Sequence, residues 1–146
     1  MMRYTFYLLF IGLLFAGCGK DKYTTIPQLK YEKVNTKVLA NGQILRFTLS
    51  FTDAEGDLQD SLFIQKVTPN CALSTFIDRY PIPGFPTTKN QKGEIEVSYG
   101  YNVSNYPFIQ TPQCAKNDTC YFRFVLKDKA QNVSDTISSE MIVIIK

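Results

Sequence analysis

The sequence predicts an all-β fold, a single antiparallel two-sheet β-sandwich, and three observations predict it. Several segments from Leu29 onward alternate apolar and polar residues with period two. Clusters of turn residues separate these segments at short intervals, and no stretch after Leu29 sustains a helical period.

The clearest strand is "ILRFTLSF" (44–51), with Leu45, Phe47, Leu49 and Phe51 on one face and Arg46, Thr48 and Ser50 on the other. One apolar face and one polar face mean a half-buried sheet. "EIEVSYGY" (94–101) turns Ile95, Val97, Tyr99 and Tyr101 inward, and "CYFRFVLK" (120–127) does the same with Cys120, Phe122, Phe124 and Leu126. "SLFIQKV" (61–67) and "EMIVIIK" (140–146) are apolar enough for well-covered strands, and a further strand is expected near 29–34. Asn41-Gly42 supplies a tight turn before the first strong strand. The proline-rich "YPIPGFPTTK" (80–89) reads as a long ordered loop, a crossing between sheets or a binding segment. Six or seven strands over about 115 residues suit an immunoglobulin-like or fibronectin-III-like sandwich, with a small barrel or jelly roll as the competing topologies.

The first residues follow another logic. Arg3 is the sole charge before Lys20, and the apolar run "LLFIGLLFAGCGK" (8–20) stops at Cys18. About twelve apolar residues fall short of the ~20 that a membrane-spanning helix needs. A positive start, a short apolar stretch and small residues at its end read as a cleaved, helical secretory signal. Ala16-Gly17-Cys18 resembles the lipobox of bacterial lipoproteins, in which the cysteine is acylated and the chain cut just before it. Phe15 departs from the aliphatic residue usual at its position, and an ordinary signal that leaves Cys18 a free thiol is the alternative. The resemblance implies a signal peptide over 1–17, a lipidated cysteine and polar tether over 18–28, and the sandwich over 29–146. By the sorting rule of such lipoproteins, Gly19 after the cysteine implies the outer membrane, periplasmic or surface face undetermined. Several acyl chains on one residue anchor durably, because each buried CH₂ contributes about 0.8 kcal/mol.

Composition narrows the chemistry. The chain is 45% hydrophobic and 20% charged, enough for one ordinary domain with a core. A net charge of +3 from scattered basic residues does not imply nucleic acid. The chain has no histidine, which removes Ser-His and Cys-His nucleophile pairs, histidine-containing zinc sites and the commonest general base. Neither a GxSxG nor a phosphate-cradling glycine loop occurs. A non-enzymatic protein is therefore expected.

Two acidic loops stand out. "FTDAEGDLQDSL" (51–62) carries Asp53, Glu55, Asp57 and Asp60, and "LKDKAQNVSDTI" (126–137) carries Asp128, Asn132 and Asp135. The pair resembles bacterial Ig-like and cadherin-like modules, with a D-x-x-G-D loop after one strand and a D-x-x-x-N-x-S/T-D hairpin near the end. That topology implies that both loops emerge at one end and converge. Converging carboxylates raise one another's pKa or recruit a cation, and oxygen ligands without histidine or thiolate suit Ca²⁺. The calcium candidates are Asp53, Glu55, Asp57 and Asp128. The competing readings are turn formation by Asp, Asn and Gly, and a carboxylate hydrolase.

With Cys18 lipidated, Cys71, Cys114 and Cys120 remain. A Cys114–Cys120 disulfide is narrowly expected, because its loop closes easily; Cys71–Cys114 and Cys71–Cys120 stay open as stronger staples on longer loops. Asp60-Ser61-Leu62 and Asp135-Thr136-Ile137 resemble the D-S/T-hydrophobic sites that some Gram-negative bacteria O-glycosylate, which makes Ser61 and Thr136 acceptor candidates. The function expected is an outer-membrane lipoprotein whose sandwich binds, adheres or assists envelope assembly, with an unknown protein or glycan as partner and calcium as a stabilising ion. The alternatives are a glycan-binding accessory lipoprotein of a carbohydrate uptake system, and a protein inhibitor acting through the proline-rich loop.

Overall fold

A computed structural model of the protein describes residues 23–146; the expected signal peptide and Cys18 lie outside the described residues. Nine strands and no α-helix occur among the described residues: β1 (Gln28–Val34), β2 (Val38–Leu39), β3 (Ile44–Asp53), β4 (Ser61–Val67), β5 (Phe76–Pro81), β6 (Gln91–Gly100), β7 (Asp118–Lys127), β8 (Ile137–Ser138) and β9 (Ile142–Ile144). One sheet has the order β1-β3-β6; the other has β2-β9-β7-β4-β5, with β8 on the edge of β7. They form a β-sandwich.

The strand positions follow the alternation. Leu45, Phe47 and Leu49 of β3 and Cys120, Phe122, Phe124 and Leu126 of β7 are fully buried, as the period-two pattern requires. Across the interface the Phe47 ring lies 4.8 Å from that of Phe122 and 5.2 Å from that of Phe124. Tyr99 of β6 sits fully buried against Phe76, Tyr80 and Phe122 at centroid distances of 5.9–6.1 Å. Tilted and edge-on ring pairs of this kind add about 0.5–1.5 kcal/mol each beyond area burial. Burial, and then the nearby Tyr80 and Asp78, raise the Tyr99 hydroxyl far above the usual phenol range, so it stays a donor.

Two expectations about the sheets need correction. The sandwich is not wholly antiparallel, because β2 pairs with β9 in parallel, Val38 opposite Val143 and Leu39 opposite Ile144. β9 must run antiparallel to β7, and β2 reaches its other edge travelling the same way, so a parallel ladder is the one open to it. The second correction is β5, a strand that the sequence reading left out. Its inward positions are Phe76, Asp78 and Tyr80, and the carboxylate among them hides the alternation. Asp78 is tolerated there because Oδ2 accepts the hydroxyls of Tyr80 (3.2 Å) and Tyr99 (3.4 Å).

The disulfide joins Cys71 to Cys114, with Cα atoms 6.1 Å apart; the expected Cys114–Cys120 bond does not form. Cys120 is on the inner face of β7 and points into the core, whereas Cys71 and Cys114 lie in the loops that leave β4 and enter β7 at the same end of the sheet. Burial pushes the Cys120 thiol up to about 11, with Lys66 opposing the shift and Asp118 adding to it. At this end Lys66, the last inward residue of β4, forms a fully buried ion pair with Asp118 (2.7 Å) and also donates to the Gln110 carbonyl (3.0 Å).

Three outcomes follow from this end of the molecule. Asp118→Ala leaves the Lys66 ammonium uncompensated and should cost about 3–5 kcal/mol in urea unfolding, whereas Lys66→Met with Asp118→Leu should be near neutral. Breaking the 43-residue disulfide loop by Cys71→Ser with Cys114→Ser should cost about 4 kcal/mol in the chain-entropy model. Under non-reducing conditions Cys120 should resist iodoacetamide at mild alkaline pH until the protein is unfolded, as read by peptide mapping.

Candidate functional site

The acidic loops extend the inner faces of the two central strands. Counting by twos, the inner face of β3 runs Leu45, Phe47, Leu49, Phe51, Asp53, and that of β7 continues from Leu126 to Asp128. Both terminal carboxylates are fully buried. Asp53 Oδ2 accepts the backbone N–H groups of Gly56 (2.5 Å) and Asp57 (3.2 Å). Asp128 Oδ1 accepts the Asn132 backbone N–H (2.7 Å), and Oδ2 accepts the Asn132 side-chain amide (2.8 Å). The loops meet directly, because Lys129 N–H donates to the Asp57 carbonyl at 3.0 Å. Leu58, fully buried, ties the first loop to the core immediately after Asp57.

Oxygens of Asp53, Asp57 and Asp128 lie within 4.8 Å of one another. Glu55 is not part of this group: it is exposed, and its carboxylate accepts the Thr25 hydroxyl at 3.1 Å. The four expected ligands therefore reduce to three, because the turn needed for Gly56 and Asp57 to reach back to Asp53 throws the intervening side chain outward. Asp53 Oδ1 is buried without a hydrogen-bond partner. Burial raises the Asp53 pKa, the Gly56 and Asp57 N–H bonds oppose it, and the charges of Asp57 and Glu55 add to it. No ion pair among the described residues involves Asp53, Asp57 or Asp128.

Gly56 is required where it stands. Its φ is +72°, and a Cβ would come 2.2 Å from the Thr88 carbonyl oxygen. The proline-rich segment is thus packed on the acidic loop, where Asn90 N–H donates to the Ala54 carbonyl (2.9 Å), Ile82 N–H to that of Asp60 (3.2 Å), and the Gln59 amide to that of Phe85. Ile82, Pro83 and Phe85 then line an apolar groove of about 590 Å³ between β5 and β6, the free edges of the two sheets; Phe51, Tyr80 and Val97 form its floor.

The glycosylation candidates separate. Ser61 is buried at the start of β4, its hydroxyl donating to Asp60 Oδ1 (3.1 Å), so the folded domain does not offer it to a transferase; Thr136 is exposed. Lys66 and Asp118 were missed by sequence reasoning, although period two from Leu62 and Ile64 puts Lys66 on the inner face of β4.

No family model matches the chain, and no curated protein matches it. Among solved structures it is similar to the sporulation control protein Spo0M from Bacillus subtilis, at 8% identity and a TM-score of 0.48 over 84% of this chain, and it spans about half of that chain (51%). It is also similar to a putative late embryogenesis abundant protein (10% identity, TM-score 0.48, 95% of this chain and 79% of that one). A CARDB domain from Pyrococcus furiosus, solved in complex with di-metal ions, aligns at 9% identity and a TM-score of 0.36 over 86% of this chain and 95% of that one. These likenesses concern the all-β fold and carry nothing about function.

Because the folded pKa of Asp53 is raised, the folded state binds more protons than the unfolded chain between the ordinary carboxylate value and the raised one. Stability from this group should fall as pH rises through that window and stay lower above it. In EDTA, Asp53→Asn, whose amide oxygen still accepts the loop N–H groups, should flatten that part of the urea-midpoint profile against pH.

Proposed function

We propose that the protein is an outer-membrane lipoprotein, held by lipid on Cys18, whose immunoglobulin-like sandwich is a non-enzymatic module that binds a protein or glycan in the envelope. The anchor rests on Arg3, the short apolar run and Ala16-Gly17-Cys18. The binding reading is carried by one observation, the apolar groove between the free edges of β5 and β6 with the proline-rich segment along its rim. A groove of this size with Phe51, Tyr80 and Phe85 in its wall suits an apolar or aromatic side chain, or the flat face of a sugar. Adhesion, envelope assembly and inhibition of another enzyme are all ways of using such a face.

The anchor is tested by Cys18→Ala, which should abolish palmitate labelling and move the protein from the membrane to the soluble fraction; persistent labelling refutes it. The groove is tested by Phe85→Asp at its rim, which should lose any partner captured from an envelope lysate; because Phe85 also packs against the core, the unfolding midpoint should fall while the circular dichroism of the sandwich is kept. Capture that survives Phe85→Asp removes the groove from the reading. Turnover of glycans, esters or peptides by the purified protein contradicts the non-enzymatic assignment, and glycan-array binding lost in Tyr80→Ala selects sugar over protein.

A further inference from the structure

We propose that Asp53, Asp57 and Asp128 form a single Ca²⁺ site that joins the β3–β4 loop to the loop after β7. Two ligands on opposite sides of Ca²⁺, each about 2.4 Å away, stand about 4.8 Å apart, whereas Mg²⁺ at about 2.1 Å spans only about 4.2 Å. Three carboxylate oxygens within 4.8 Å of one another are close enough to share one calcium ion, and Mg²⁺ suits the group less well because it demands near-ideal octahedral geometry and gives up its waters reluctantly.

A cluster of acids by itself proves nothing, and a second observation is what points to a ligand. Asp53 is fully buried and its Oδ1 has no hydrogen-bond partner, while its other oxygen is committed to two loop N–H groups. A buried, unpartnered carboxylate oxygen costs far more than an exposed one, and a cation is the partner that removes the cost and the mutual repulsion together. Asp128 is equally buried; the two donors from Asn132 orient its carboxylate and leave lone pairs on both oxygens. Asp57, half-buried, closes the group from the solvent side. No lysine or arginine of the described residues is paired to any of the three. Hard oxygen donors and no nitrogen or sulfur select an alkaline-earth ion over zinc or copper. The site does not depend on how the chain is anchored or on what the groove binds, so its failure would leave the proposed function standing, and the reverse.

The test uses the full-length protein, purified in detergent and stripped with EDTA, and reads calcium binding by equilibrium dialysis and thermal unfolding by circular dichroism. Calcium should bind at one ion per chain, and millimolar CaCl₂ should raise the midpoint by about 5 °C or more. MgCl₂ at the same concentration should give less than half of that rise. Asp57→Asn should at least halve the calcium response while its midpoint in EDTA stays at or above that of the wild type, because it removes one of the repelling charges. Asp60→Asn, outside the group, should keep the full response. An EDTA-stripped wild type that neither binds nor responds to calcium overturns the site, as does a full response in Asp57→Asn or a stronger effect of magnesium than of calcium.

Discussion

The contact that the rest of the structure depends on is the packing of β3 against β7 through Phe47, Phe122 and Phe124. β3 and β7 are each the middle strand in the order of their sheet, and each alternates with period two over ten residues. Once their inner faces are locked together, the positions of everything two residues further along are also set. That is why Asp53 and Asp128 end up facing each other. They are the next inward residues after Phe51 and Leu126, and a sheet has no way to turn them out without shifting register and exposing the whole face.

Both ends of the sandwich therefore carry buried charge, and the two ends solve the problem differently. At the disulfide end Asp118 meets Lys66 at 2.7 Å, and the ammonium is further satisfied by the Gln110 carbonyl. The pair resides where Cys71–Cys114 already restricts opening, so the desolvated charges are held at close range. At the other end Asp53 and Asp128 receive backbone and amide hydrogens, which compensate part of the desolvation but supply no full positive charge. The asymmetry is chemical: at one end a buried carboxylate faces a buried ammonium, and at the other no lysine or arginine of the described residues meets the carboxylates.

Much of this was legible in the residues themselves. The inward faces of β3, β6 and β7 read directly as period-two runs, because hydrophobic burial on one side of a pleated sheet imposes that spacing. The convergence of the two acidic loops was implied by the resemblance to Ig-like and cadherin-like modules, whereas the requirement for glycine at position 56 is visible only in its positive φ and the close Thr88 carbonyl. What could not be read locally was set by partners distant in the chain. β5 hides because Asp78 is satisfied by hydrogen bonds from Tyr80, on its own strand, and Tyr99, distant in the chain, rather than by an opposite charge nearby in sequence. The disulfide depended on which cysteines face inward: Cys120 shares the parity of Phe122 and Phe124 and was already committed to the core, a constraint that outweighs the short loop to Cys114. Glu55 looked equivalent to its neighbours by composition and differs only in pointing away from the turn.

The acidic end is also where the chain enters the domain. Thr24 accepts the Ala54 N–H at 3.2 Å, and Thr25 accepts the Asn132 side-chain amide at 3.3 Å while its hydroxyl reaches Glu55. The entering segment is thereby stitched to both acidic loops before β1 begins. Cys18 is only five positions before Tyr23, a span of no more than about 18 Å even when fully extended. Under the anchoring proposed above, the loops carrying Asp53, Asp57 and Asp128 lie close to the membrane, but about 18 Å is roughly twice the ~8 Å screening length of physiological salt, so repulsion between these acids and anionic headgroups is largely screened. A divalent ion held among those carboxylates would relieve their repulsion of one another and stiffen the two loops to which Thr24 and Thr25 are bonded. The groove between β5 and β6 borders the same loop through the proline-rich segment, so the rigidity of the acidic end bears on the binding face as well.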